Sequence, residues 1–322
     1  MKSEDVSEII ECLPKGRTLF SYHKDRYAVQ LLEYAVAEEK PIAQIRSGRF
    51  GKLLDRPLVK NLIATCGSGV ITRNDLDLAW SSDTRAYLLT LGRWGPEKNE
   101  DWEQYWYQTS RPGQNLVLQL NFSNAHNDAF QRILQSESTT LFNSTAHPVR
   151  LMDGPTLAWA RLDVDLDRGE ALIEELQSDW IWNSRAARQR ALRLLKETPG
   201  KRHDVRIVLG HTSMEAAAVC RYYDHIVAPH AAQWDQAMLS ATIWFLVEEL
   251  GLRRIYLHDH MSGCKLKGIG RERPPRSLYT KLPNRFCFEK TADAPDLLRD
   301  QPSRRFKKAA KNNNLRFWRL YV

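Results

Sequence analysis

Two hydrophobic periods divide the chain. Over residues 1–95 the apolar positions recur at helical spacing: DRYAVQLLEYAVAEE (25–39) lines Tyr27, Leu31, Tyr34 and Ala35 along one face. The stretches PIAQIRSG, PLVKNLIATCGSG and RNDLDLAW read as short helices punctuated by Pro and Gly. LGRWGPEKNEDWEQYWYQTSRPGQ (91–114) has no clear period and marks a boundary. Beyond it apolar residues alternate. NLVLQLNF predicts a strand followed by a helix over 128–135, and LAWARLDVDL and EALIEELQS predict two strands about the turn Asp167-Arg168-Gly169. A basic helix over 185–196 and a strand at DVRIVLG come next. QWDQAMLSATIWFLVEELG predicts a long buried helix ending at Gly251, LRRIYLHDH a buried strand, and RPPRSLYTKLP a Pro-started helix. NRFCFEK and LRFWRLYV predict the last strands. The fold class is α+β: a helical N-terminal domain over 1–95, then an α+β domain over 96–322 in which helices flank a mixed sheet.

Charge changes this picture at one end only. Residues 263–322 hold 16 Lys or Arg against 5 Asp or Glu, while the whole chain of 322 residues has a formal charge of +8. The rest is therefore slightly acidic. PSRRFKKAAKNNNLRFWRLYV interleaves Arg304, Arg305, Lys307 and Lys308 with Phe306, Phe317, Trp318 and Tyr321, a composition suited to phosphates and bases together. Nucleic acid, DNA or RNA, is the expected partner; a solvated basic helix before an edge strand is the alternative. The short N-terminal helices fit either a helix-turn-helix-like reader or a plain helical cap. Five scattered Cys without a C-x-x-C pattern suggest free thiols in a reducing cytoplasm. No long apolar run predicts a membrane span, and the first residues lack the order of a signal peptide. Walker, dinucleotide, G-x-S-x-G and zinc-deaminase motifs are all missing.

Two resemblances follow from particular residues. Glu174-Glu175-Leu176-Gln177-Ser178-Asp179-Trp180 is similar to the EEIQSDW-type segment of the large polyvalent proteins of phages and mobile elements, and residues 228–259 follow the same family's pattern. More distantly, strand, helix, strand and then SLYTKLPNRFCF (277–288) resembles the second half of the GNAT acyltransferase fold. That likeness implies a GNAT-like core, with Tyr279 in the general-acid position. GNAT enzymes hold the pyrophosphate of acetyl-CoA on a glycine-containing loop at a helix start. Residues 230–236 contain no glycine and carry Asp235 instead. Two unit charges ~5 Å apart repel by about 3 kcal/mol at an effective dielectric of 20, so acetyl-CoA is disfavoured as the cofactor.

Candidate chemistry gathers where EALIEELQS ends. Strand alternation sends Leu172, Glu174 and Leu176 to one face and Ile173, Glu175 and Gln177 to the other, so one Glu points to a covered surface. A carboxyl there has a raised pKa and suits general-base work; alternatively one Glu faces water and the other pairs with Arg185 or Arg188. Gln177 and Asp179 are further catalytic candidates, while Trp180 is either a substrate contact or core. His258 and Asp259 are candidate substrate contacts just past a strand end. Three consecutive residues such as His258, Asp259 and His260 rarely serve one metal, and no metal is expected. Three functions remain open: a GNAT-like transferase acting at nucleic acid, a nucleic-acid-binding conflict protein without chemistry, and an interaction protein using residues 102–107 against a protein partner.

Overall fold

The computed structural model of the chain describes residues 1–12, 18–96, 107–136, 140–150, 154–198, 204–270, 273–312 and 315–322. Eight of its strands form one sheet: β1 (Thr18–Tyr22), β2 (Arg85–Trp94), β3 (Asn115–Asn121), β4 (Thr156–Asp165), β5 (Glu170–Gln177), β6 (Arg254–His258), β7 (Glu289–Thr291) and β8 (Phe317–Tyr321). Their spatial order is β1-β2-β3-β4-β5-β6-β8-β7. Every neighbouring pair is antiparallel except β5 and β6, which run parallel. The fold is α+β, with helices flanking a mixed sheet. Antiparallel neighbours need only short turns, whereas the parallel pair needs a crossover. Here that crossover spans residues 178–253 and carries α3 (Asp179–Glu197) and α4 (Trp234–Trp244).

Both faces of the sheet are covered. Ile173, Leu176, Ile255 and Leu257 pack with Leu31 and Leu32 of α1 (Arg26–Ala35) and with Met238 and Leu239 of α4 in the larger core. On the other face Leu172, Tyr256 and Phe317 meet Leu266 of α5 (His260–Lys267) and Phe306 of α6 (Arg304–Ala310). Leu172 and Leu176 thus lie in different cores, although plain alternation would give them one face. The cause is a β-bulge. Arg161 of β4 pairs with Glu175, but the next residue, Leu162, pairs with Ile173, so Glu174 is the extra residue.

Several expectations need correction. Residues 1–95 are not purely helical, since β1 and β2 belong to the main sheet and β2 pairs across the boundary with β3. β1 is short and half exposed, and adjacent Leu88 and Leu89 hide the alternation of β2. DVRIVLG does form a strand over Arg206–Leu209, but in a separate hairpin with Thr212–Glu215. NRFCFEK is extended only at Glu289–Thr291, because Cys287 adopts a left-handed backbone conformation, φ 62°.

Trp180 is a core residue rather than a substrate contact. It is fully buried, donates Nε1–H to the Tyr222 hydroxyl at 2.9 Å, and is ringed by Phe122, His126, Phe130 and Phe142. Trp180→Ala is expected to destabilise the protein by about 3–5 kcal/mol, read from urea denaturation.

Candidate functional site at the sheet opening

The parallel ladder between β5 and β6 stops early. Its last pair is Leu257 with Ile173, so the Glu174 carbonyl has no β6 partner. Lys267, at the end of α5, supplies one: its Nζ donates to the Glu174 carbonyl at 2.9 Å and lies 3.7 Å from Glu175 Oε2. Lys267 is only 1% exposed. Burial pulls its pKa down, and the charge of Glu175 opposes that shift.

Both glutamates of the bulge address this cation. Glu174 accepts from the Ser110 amide (3.0 Å, Oε1), the Ser110 hydroxyl (2.8 Å, Oε2) and His258 Nε2 (3.0 Å). A carboxylate cannot donate, so His258 Nε2 carries a proton. This is not a nucleophile arrangement, because the serine gives its proton to the carboxylate rather than to the histidine. Glu175 pairs with Arg161 Nη2, and Arg161 also donates to the carbonyls of Tyr107 and Gln108 at 2.6 and 3.2 Å. Alternation predicted opposite faces for the two carboxylates; the bulge turns both toward the same cations.

Their protonation also departs from expectation. Burial pushes Glu174 up, but the His258 hydrogen bond and the charges of His258, Lys267 and Arg161 outweigh it and hold the carboxyl at about 2. Glu175 is likewise opposed by burial and held below its ordinary value by Lys267 and Arg161. A raised, proton-accepting glutamate is therefore not found: both are buried anions in fixed pairs. Tyr279 does not fill an acid role either. It is 2% exposed, its hydroxyl has no hydrogen-bond partner among the described residues, and burial puts its pKa well above the ordinary value.

The remaining candidates separate. Gln177 and Asp179 come together at the end of β5, where the Gln177 amide donates to Asp179 Oδ1 at 2.7 Å. Sequence reasoning missed their third member: His147 Nδ1 lies 2.8 and 3.0 Å from the two Asp179 oxygens. The Asp179 hydrogen bond raises the His147 pKa against burial, and the ring is 35% exposed. No spacing signal joins residues 147 and 179; only the fold does. Ser110, Arg161 and Lys267 were missed for the same reason. His258 turns inward to Glu174. Asp259 caps α5 by accepting from the Met261 amide at 3.1 Å and pairs with Lys290 at 2.9 Å. His260 Nε2 donates to the Pro274 carbonyl at 3.0 Å. Among the described residues no group of three or more His, Cys, Asp or Glu is placed to hold a metal.

At the basic end α6 is anchored by buried Phe306, while Arg304, Arg305, Lys307 and Lys308 are exposed. Tyr321 is exposed, but the other aromatics there are packed. Phe317 is fully buried, and Trp318 donates Nε1–H to the Tyr279 carbonyl at 2.9 Å with Lys290 over its ring. Of residues 102–107 only Tyr107 lies within the described residues. The helix that follows β5 starts at Asp179 and the long buried helix starts at Trp234, so an acid, Asp179 or Asp235, stands in the first turn of each. Among the described residues no helix is long and apolar enough to cross a membrane.

Because the folded pKa of Glu174 is depressed, its contribution to stability is present above the ordinary carboxylate value, 4.5, and is lost as pH falls toward about 2. Glu174→Gln is therefore expected to be less stable at neutral pH and to lose less stability over that acid range, measured by urea midpoints at successive pH values. The chain matches no family model, no curated protein and no solved structure.

Proposed function

We propose that this chain is a nucleic-acid-docking protein of the phage and mobile-element conflict type, built on a GNAT-like core that does not use acetyl-CoA. The observation that carries this reading is the cationic surface of α6. Arg305, Lys307 and Lys308 are exposed and form no ion pair with any described residue, so they are free to meet phosphates. The Arg305 guanidinium lies over Gly268, where an added Cβ would stand 2.7 Å from its Cζ. That glycine is the left-handed cap of α5, φ 70°, so the cationic helix abuts a helix C-terminus that favours positive charge. One parallel pair within an otherwise antiparallel sheet supports the GNAT-like reading of the core. Lys267, buried between the diverging ends of β5 and β6, speaks against an acyl donor there. With Phe317 buried and Trp318 half-buried, recognition rests more on the backbone charge of the nucleic acid than on base stacking.

Replacing Arg304, Arg305, Lys307 and Lys308 by Ala is expected to weaken binding to single- and double-stranded probes. Each lost phosphate contact should lower the slope of log affinity against log salt by about one. Unchanged affinity and slope would remove the proposal.

The half-exposed His147–Asp179 pair favours a second reading, an enzyme that moves a proton at this strand end. On that reading Asp179→Asn lowers the His147 titration midpoint toward or below the ordinary histidine value, as read by NMR. It also abolishes in vivo activity while leaving nucleic-acid affinity intact.

A further inference from the structure

A pocket of about 270 Å³ opens beside the start of β2 and the end of β3, away from the buried ion network. Phe122, Ile226, Pro229 and three alanines give it apolar walls. Its polar lining comes from Arg85, Ser123, His126, His225 and His230, and no carboxylate among the described residues lines it.

The protonation of two of these histidines follows from their partners. Tyr222 is fully buried and accepts from Trp180 Nε1 at 2.9 Å. Its own proton has one described acceptor, His126 Nε2 at 2.9 Å. Leaving a buried hydroxyl proton unbonded is costly, so Tyr222 donates and His126 accepts at Nε2. Burial holds the His126 pKa at about 4, so the neutral ring carries its single proton on Nδ1. The nearest described acceptor for that proton, Asn127 Oδ1, is 3.4 Å away. Tyr87 repeats the pattern. It is fully buried, and its hydroxyl meets His230 Nδ1 at 2.9 Å, so His230 accepts there and keeps its proton on Nε2. Burial, with the nearby charge of Arg85, holds the His230 pKa at about 3. Both rings are thus neutral; the His230 Nε2–H has no described acceptor, and the His126 Nδ1–H has only the long contact to Asn127. Arg85 adds the formal charge, shared with exposed Asp83 at 2.9 Å. The Ser123 hydroxyl precedes the helix Asn124–Leu134 and makes no capping bond.

We infer that this pocket binds a small organic anion, with a carboxylate or phosphate taken by Arg85 and the imidazole N–H groups and a ring-sized apolar body against the Phe122 side. Donors without acceptors select an anion, and the apolar walls select more than a bare ion. The volume falls slightly below the usual range for ligand sites and fits about one ring plus its acid group.

Calorimetric titration of the full chain at neutral pH tests this with benzoate, phenyl phosphate, benzamide and inorganic phosphate. Benzoate or phenyl phosphate is expected to bind in the micromolar to low millimolar range, and the stronger of the two identifies the acid group. Benzamide lacks the charge and inorganic phosphate the apolar body, and each should bind at least about tenfold more weakly. Arg85→Gln and His230→Phe should each weaken the organic anion by about tenfold or more, with the thermal transition checked for both. Nitrogen-15 spectra of the histidines should show His230 protonated on Nε2 and not titrating near neutral pH. Absence of binding by either organic anion, equal binding by Arg85→Gln, or a His230 that titrates near neutrality overturns the inference. Should one variant fail to fold, the other variant and the wild-type spectrum decide.

Discussion

One main-chain carbonyl sets much of this structure. Glu174 sits where β5 and β6 part, and a buried carbonyl without a partner costs about 1–3 kcal/mol. No strand is available there, so a side chain must reach it, and Lys267 does so from α5. A buried ammonium then demands an anion, which Glu175 provides, and Arg161 joins as the second cation. Arg161 in turn holds the carbonyls of Tyr107 and Gln108, tying the approach to β3 into the same network. The position of α5 also places Leu266 in the second core and the Gly268 cap beneath Arg305. A local demand for one hydrogen bond thus bears on where the cationic helix lies.

This network explains why the strand end is chemically quiet despite its composition. Glu174 and Glu175 face Lys267 and Arg161, with His258 hydrogen-bonded to Glu174, in a buried place. Removing one partner would leave an uncompensated charge, so each is held by the others rather than poised to exchange protons. A half-exposed ionisable pair lies instead a few residues further along, where Asp179 is buried but His147 reaches solvent.

The sequence made the long elements legible because their periods are strong. LAWARLDVDL and EALIEELQS pair as expected, and QWDQAMLSATIWFLVEELG is a buried helix, although it changes to a wider π-turn at Phe245–Glu249. What period could not show was parity. Leu172, Glu174 and Leu176 look like one face until the bulge is counted, and a bulge leaves no mark on hydrophobicity when the extra residue is polar. Nor could composition distinguish Phe317 and Trp318 as packing residues from stacking platforms, because aromatics serve both uses. His147, Ser110 and Lys267 lie 30 to 93 residues from the residues they serve, and their meeting depends on pairing that no local pattern encodes. Gln177 and Asp179, two apart in sequence, are the pair that local reading could find.

The bulge also bears on how such a site is inherited. β5 carries one residue more than β4 needs, and that surplus turns both carboxylates the same way. The character of the junction is therefore set by strand length as much as by residue identity. A deletion within the glutamate pair would restore an even count and leave Lys267 and Arg161 sharing a single anion. Substitution alone cannot move a lineage between these two states without passing through a buried, unmatched charge. The extra residue and the cations that face it are therefore coupled, since changing either alone would leave a buried charge unmatched.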